Sequence, residues 1–496
     1  MNVSIILAAG VGSRMKKATK NQPKSLLKVC NKEILSYQID ALKSQEVDKI
    51  IVVTGYKSSM IKDFCDKNYD DVIILENKDY LNTNNMFSLL MALEEISDLD
   101  FDNLLINNAD CLYEEEIFRL LLSDEYPDIF VGKKDEFDIE SMKVEVDNGR
   151  ITKISKSIRQ KDSYGITLDL YKMSKKSSII LENKAREIIN SGKVDLWSEV
   201  SLNEILKDVE FRFLDTKFLK WVEVDNSSDY IRAIQVFTDL SFRNKKTCFF
   251  DIDGTLFNGD SPIEHNLSIF SEMLNTKNTY LITNNTSRTK DDYIKKFLKH
   301  NLEINLENII TPLDGLISFI KDRGPSSYYI LSNDKVRNYI LSKCLELEHS
   351  EDSNSVILCY DDEIDYKKIF TCCKILSGEK NQELIATHSD MRCPTEFGFI
   401  PDIGCYLKMI ENCTNKKPGL FFGKPDANML KHLNFKPEES CLFGDRLYTD
   451  FLLSKNLGID FVLSLNGDTT IKELIELSDE GKNDEIPQFI LLNGRD

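Results

Sequence analysis

The first 240 residues alternate short apolar runs with amphipathic stretches. Residues 3–8, 49–54, 72–75 and 104–107 read as strands; residues 34–45 and 84–96 read as helices. Alternation at this spacing predicts a mostly parallel sheet covered by helices, with its site at the carboxyl ends of the strands. Residues 142–158 break the pattern. Val144-Glu145-Val146 and Ile151-Thr152-Lys153-Ile154 flank Asp147-Asn148-Gly149, a hairpin with a turn signal. Residues 199–206 and 227–238 read as closing helices. The basic stretch 242–246 has no apolar period and is taken as a boundary. A new strand, 247–252, runs into Asp253-Gly254-Thr255, and 279–282 is another. A strand-rich block, 312–420, precedes last strands near 420–422 and 441–443. No internal repeat is visible.

Length and composition narrow the picture. At 496 residues and 42% hydrophobic, the chain has material for large cores and, at roughly 100–200 residues per domain, about two to four folding units. The formal charge of −19 argues against a nucleic-acid or anionic-membrane surface. It does not exclude phosphate substrates, which a few local cations and a metal ion can hold. Twelve cysteines are scattered without a Cys-x-x-Cys pair, so neither a zinc site nor a disulfide framework is expected. The apolar run at the N-terminus is short and ends in a Gly-rich turn, unlike a secretory leader. No stretch approaches the ~20 apolar residues of a spanning helix. The expectation is a cytoplasmic protein without membrane insertion.

Chemistry enters at Leu7-Ala8-Ala9-Gly10-Val11-Gly12-Ser13-Arg14-Met15. Glycines let the backbone approach a phosphate and present its N–H groups as an anion nest; Arg14 adds a charge-assisted contact. Pro23-Lys24-Ser25-Leu26-Leu27 follows at the spacing of a cation that reaches back over the loop. The combination resembles the nucleotidyltransferases that make nucleoside-diphosphate sugars and alcohols. Ile50–Tyr56, the run Asn82-Thr-Asn-Asn-Met-Phe-Ser-Leu, Asn108-Ala109-Asp110 and Trp221-Val-Glu-Val-Asp225 extend the likeness over nearly all of residues 1–235. The resemblance implies a Rossmann-like domain with a mixed sheet over 1–243. It implies CTP or another nucleotide held by Ala8, Gly10, Gly12, Arg14, Lys24, Asn82 and Asn85, with Lys24 catalytic, and Mg²⁺ held by Asp110 and Asp225. The run 140–156 resembles cytidylyltransferases for small phospho-alcohols and phosphonates. After this hairpin the chain reads Ser163-Tyr-Gly-Ile-Thr-Leu-Asp-Leu-Tyr171 rather than the Gly-Glu-Tyr-like run of the phosphocholine type, so a choline cage is not assumed.

The second half opens with Phe249-Phe250-Asp251-Ile252-Asp253-Gly254-Thr255-Leu256. Two carboxylates two residues apart in extended chain point to one side. Asp251 could attack phosphorus and Asp253 could shuttle the proton. Three more segments follow in order: Leu281-Ile-Thr283-Asn284-Asn285, Gly423-Lys424-Pro425, and Phe443-Gly444-Asp445-Arg446 with Asp450. Together they resemble the haloacid dehalogenase-like hydrolases. This implies a Rossmann-like core over 244–311 and 421–496, with an α/β cap over 312–420 of the nitrophenyl-phosphatase and phosphoglycolate-phosphatase class. Thr283 and Asn284 would meet phosphate oxygens, Lys424 would neutralise charge, and Asp251, Asp253 and Asp445 would hold Mg²⁺. Asp251 would form an aspartyl-phosphate. His388, Asp390 and Arg392 are candidate cap contacts.

The sequence thus predicts a bifunctional α/β enzyme. One half would transfer cytidylyl to a small phosphorylated alcohol, such as a three-carbon polyol phosphate; the other would hydrolyse a phosphate monoester of the same pathway, of the kind that builds a surface polysaccharide. Alternatives are uridylyl or thymidylyl transfer to a sugar 1-phosphate, and a C-terminal half that only binds. Each half carries its own motif set, so the halves are expected to fold separately. Homo-oligomerisation is left open.

Overall fold

A computed structural model describes residues 1–15, 17–137, 141–238, 242–286, 289–378, 382–395 and 398–491. The chain forms two units: Met1–Thr238 with Ile471–Ile486, and Asp239–Thr470 with Pro487–Asp496.

The first unit is built on a nine-stranded mixed sheet. Its order is Val72–Glu76, Lys49–Thr54, Asn2–Ala8, Asn103–Asn108, Gly165–Met173, Ile129–Lys134, Arg212–Asp215, Arg150–Ser155, Lys143–Asp147. The first four strands run parallel, and Gly165–Met173 turns antiparallel to Asn103–Asn108. Asn2–Ala8 is apolar on both faces because both are covered. Val3, Ile5 and Leu7 pack toward Leu89, Ala92 and Leu93 of helix Asn85–Glu95. Ile6 and Ala8 pack toward Leu35, Ile39 and Leu42 of helix Ile34–Ser44. The predicted hairpin is present as Lys143–Asp147 and Arg150–Ser155, paired antiparallel.

Two boundaries differ from the sequence expectation. Residues 242 and 243 group with the second unit, because Phe242 is buried and its ring meets Phe443 edge-on at 5.3 Å. Residues 471–486, expected in the hydrolase core, belong to the first unit. Helix Ile471–Asp479 buries Leu474 and Ser478, and Asp479 Oδ1 accepts from Ser227 Oγ at 2.7 Å. Ser227 opens helix Ser227–Phe237, whose N-cap Asn226 forms a capping box with Asp229.

The second unit holds two parallel sheets. The six-stranded one runs Ile309–Ile310, Asn278–Ile282, Thr247–Asp251, Ser440–Gly444, Asp460–Leu463, Phe489–Ile490. The five-stranded one runs Leu347–His349, Ser326–Leu331, Ser355–Leu358, Glu383–Ala386, Leu420–Phe421. The latter falls almost wholly within the expected insertion. Strand Leu420–Phe421, expected among the last core strands, instead pairs with Glu383–Ala386 at this sheet's edge. Among the described residues no helix is long and apolar enough to cross a membrane.

Two candidate active sites

In the first unit a cavity of about 400 Å³ opens at the carboxyl ends of the parallel strands. The loop after Asn2–Ala8 forms one wall. Gly12 has φ +66°, a left-handed conformation that suits glycine, and it lets the chain double back into the turn Ser13–Met15 that carries Arg14. Asp110 and Asp225 meet because strand Cys111–Tyr113 pairs antiparallel with Trp221–Glu223. The ladder continues as Val224 N donates to Asp110 O at 2.9 Å. Lys24 Nζ lies 2.7 Å from Asp110 Oδ2 and 3.2 Å from Asp225 Oδ1, and Arg14 reaches Asp225 Oδ2 at 2.7 Å.

The structure adds Glu223. Carboxylate oxygens of Asp110, Glu223 and Asp225 lie within 4.8 Å of one another. Burial first, then Asp169, Asp110 and Asp225, push the Glu223 carboxyl up to about 9. Burial lowers the Lys24 ammonium, but Asp110 and Asp225 more than reverse this and raise it. Three converging hard oxygen donors fit a Mg²⁺-type ion, and their mutual repulsion would be relieved by one.

A second acidic pair lines the same cavity. Asp169 and Glu199 are bridged by the Tyr171 hydroxyl, 3.3 Å from each. Asn108 Nδ2 also donates to Asp169 at 3.1 Å, and Ser198 Oγ to Glu199 at 3.3 Å. Burial, followed by Glu199 and Asp110, raises the Asp169 carboxyl to about 7. Beside the pair, Lys156 Nζ sits 5.0 Å from the centre of the Trp197 ring. Ala8, Gly10, Gly12, Arg14, Lys24 and Asn85, expected at a nucleotide, all line the cavity. Asn82 does not: it is exposed and its amide donates to Asp79 at 2.8 Å. Asn84, beside Asn85, takes its place because helix Asn85–Glu95 starts there.

In the second unit Asp251 ends the strand Thr247–Asp251, beside Ser440–Gly444, which delivers Asp445. Asp251, Asp445 and Asp450 are buried, with oxygens within 4.8 Å of one another. Lys424 Nζ contacts Asp251 Oδ1 and lies 2.6 Å from Asp450 Oδ1. Burial raises the Asp251 carboxyl, Lys424 pulls it back, and Asp450 and Asp445 raise it again. Asp445 Oδ1 is buried with no hydrogen-bond partner. An orphaned anionic oxygen beside two further buried carboxylates fits a divalent cation. Gly254, at φ +93°, passes so close that an added Cβ would lie 2.4 Å from Asp445 Oδ2.

Asp253, expected among the metal ligands, stands outside this trio; its Oδ1 is 3.7 Å from Lys296 Nζ. Asn284, expected to face phosphate, uses its side chain otherwise. Its Oδ1 accepts from Lys424 N at 2.8 Å, and its Nδ2 donates to Lys424 O at 2.9 Å and Asp390 Oδ2 at 3.1 Å. It fixes Lys424. Thr283 Oγ1 accepts from Asn285 N at 3.1 Å. His388 is buried between Asp390 and Asp402, at 3.9 and 3.8 Å, while Arg392 is exposed.

Comparison with known proteins finds one set of relatives for each half of the chain, and the hydrolase-like match takes in 471–486, which pack with the first unit. Residues 4–141 match the MobA-like NTP transferase domain family. Residues 248–343 match the haloacid dehalogenase-like hydrolase family, and 421–488 a related HAD hydrolase-like family. A choline-phosphate cytidylyltransferase of Streptococcus pneumoniae is 31% identical over 153 residues, 30% of this chain and 66% of its own. A CTP:phosphoglutamine cytidylyltransferase of Campylobacter jejuni is 36% identical over 127 residues, 24% of this chain and 48% of its own. An acid sugar phosphatase of Staphylococcus haemolyticus is 25% identical over 240 residues, 47% of this chain and 90% of its own. With two separate carboxylate–lysine centres, each in the unit its relatives match, the chain belongs to the enzymes: a nucleotidyltransferase domain followed by a haloacid dehalogenase-like phosphatase domain.

Proposed function

We propose that the first unit transfers cytidylyl from CTP to a small phosphorylated alcohol, and that the second hydrolyses a phosphate monoester through an aspartyl-phosphate. The observation that carries the reading is the pairing, in each unit, of a three-carboxylate centre with a lysine, half-buried Lys24 in the first and buried Lys424 in the second. In the transferase an acceptor phosphate oxygen bonds to the α-phosphorus as the bond to pyrophosphate breaks. Such chemistry needs positioning and charge neutralisation more than covalent help. Loop N–H groups from Gly10 to Gly12 hold phosphate oxygens, and Arg14 and Lys24 offset their charge. Asp110, Glu223 and Asp225 would hold Mg²⁺, which supplies charge neutralisation when bound. Asp169 and Glu199 face the rest of the acceptor as hydrogen-bond partners for its hydroxyl or amino groups. The Lys156 ammonium over Trp197 disfavours a quaternary ammonium on that ring, which supports an acceptor of the polyol kind.

In the phosphatase an Asp251 oxygen bonds to phosphorus as the ester P–O bond breaks, and Asp253 gives its proton to the leaving alkoxide. Water then attacks the aspartyl-phosphate, returns a proton to Asp253 and releases inorganic phosphate. Lys424 neutralises Asp251 and the phosphoryl oxygens. Asp251, Asp445 and Asp450 are the residues that would hold Mg²⁺. The phosphatase removes the group that the transferase needs as nucleophile, so the two sites act on different phosphate esters. The test is a panel of CTP, UTP, dTTP, ATP and GTP against small phosphorylated alcohols and sugar 1-phosphates, read by pyrophosphate release. CTP with a polyol phosphate is the expected best pair; a clear preference for UTP or dTTP with a sugar 1-phosphate would replace the reading.

A further inference from the structure

Lys296 stands outside both carboxylate centres, yet its charge is buried. It lies on helix Lys290–Leu298, and its side chain is 7% exposed. Its Nζ donates to Gly259 O at 2.7 Å, lies 4.3 Å from the centre of the Phe257 ring and sits 3.7 Å from Asp253 Oδ1. A buried ammonium is costly unless compensated, and these three compensating groups fall within one stretch, 253–259. Its backbone is independently fixed. Gly254 N donates to Phe257 O at 2.8 Å, and Leu256 N and Phe257 N to Ile252 O at 2.9 and 3.0 Å. Those bonds set the turn but leave the Asp253 side chain, 33% exposed, its rotatable bonds. The short hairpin Phe257–Asn258 and Ser261–Pro262 follows at once.

We infer that Lys296 is a positioning residue for proton transfer: it holds the Asp253 carboxylate and the adjoining hairpin in place over the leaving group. This rests on the phosphatase reading above, in which Asp253 carries the proton. An acid held in line matters most when the leaving group is a strong base. An alkyl phosphate such as glycerol 3-phosphate expels an alkoxide that must be protonated; 4-nitrophenyl phosphate expels a phenolate that need not be.

The experiment follows single-turnover release of the leaving alcohol or phenol, the step that precedes the hydrolysis both esters share, with the full chain in five forms: wild type, Lys296→Met, Lys296→Arg, Asp253→Asn, and Lys296→Met with Asp253→Asn. General acid catalysis is worth roughly 10²–10⁴-fold. Lys296→Met is expected to slow release from the alkyl ester by about 10-fold or more of that total, and from the aryl ester by less than about 3-fold. Lys296→Arg should restore most of the alkyl rate. In the Asp253→Asn background Lys296→Met should add less than about 2-fold, since both changes remove one function. Lys296→Gln, which can keep a bond to Gly259 O, serves if the Met variant does not fold. Equal losses on both esters, effects that multiply with Asp253→Asn, or undiminished alkyl turnover would each overturn the inference. Alkyl turnover at the wild-type rate in Asp253→Asn alone would instead remove the parent acid–base reading.

Discussion

Replacing Lys24 by Met tests the first centre where its electrostatics are most exposed. The substitution keeps the length of the side chain and removes the one ammonium that contacts both Asp110 and Asp225, at 2.7 and 3.2 Å. Removing one partner of a buried pair costs about 3–5 kcal/mol. Here the aspartates keep 24% and 15% of their exposure and Arg14 still pairs with Asp225, so about 1–3 kcal/mol is expected after allowing for screening. For a unit of this size that is a fall in Tm of about 2–4 °C per kcal/mol. A divalent cation takes over part of the lost neutralisation, so Mg²⁺ should raise the variant's Tm by more than the wild type's. The catalytic loss is larger. A preorganised charge aimed at a transition state is worth about 3–4 kcal/mol, or roughly 10²–10³-fold in kcat. Pyrophosphate release with CTP and an acceptor phosphate, and thermal melting with and without Mg²⁺, read the two effects. Phosphate release from an alkyl ester should be unchanged. Wild-type pyrophosphate release in Lys24→Met would refute the assignment of Lys24 to the triphosphate.

Other consequences follow from particular residues. A chain ending at residue 243 keeps every transferase motif but lacks 471–486. It should melt below the full protein's first transition, because burial of Leu474 alone is worth about 1.5–3 kcal/mol; an unchanged melting temperature would show that this segment is dispensable. The Glu223 carboxyl is raised to about 9, so its neutral form favours the fold. That contribution is complete below about pH 4.5 and is lost as the pH rises toward about 9. A cation at this centre needs the carboxylate, so Mg²⁺ binding at pH 7 should expel about one proton. Calorimetry in two buffers of different ionisation enthalpy measures it, and Glu223→Gln should abolish that release. Gly254→Ala places a Cβ 2.4 Å from Asp445 Oδ2 at a φ of +93° and should abolish phosphatase turnover while leaving pyrophosphate release intact.

Both sites were legible where chemistry follows a strand end in contiguous residues. The loop from Ala8 to Arg14, Lys24, Asp110, Asp225, Asp251, Lys424, Asp445 and Asp450 all lie in such segments, and folding brings them together as two clusters. Glu223 was missed although its signal was present: it stands two residues before Asp225, and alternate residues of an extended chain share a side. Asp169 and Glu199 were beyond reach, since they are thirty residues apart and meet only through Tyr171 on a sheet whose order is not sequential. Asn82 was misjudged because a run of three asparagines in four residues gives no register; the helix start at Asn85 sets it. Helix Ile471–Asp479 lies in the stretch that matches the hydrolase-like family, yet it packs with the first unit; sequence pattern does not say against which partner a helix face is buried.

The central claim is that one chain carries two independent phosphate chemistries. The most direct measurement assays the full-length wild type, Asp225→Asn and Asp251→Asn for pyrophosphate release from CTP with an acceptor phosphate, and for phosphate release from an alkyl ester. Asp225→Asn is predicted to lose the first activity and keep the second; Asp251→Asn is predicted to do the reverse. Loss of both activities in either variant, or of neither, would contradict the account.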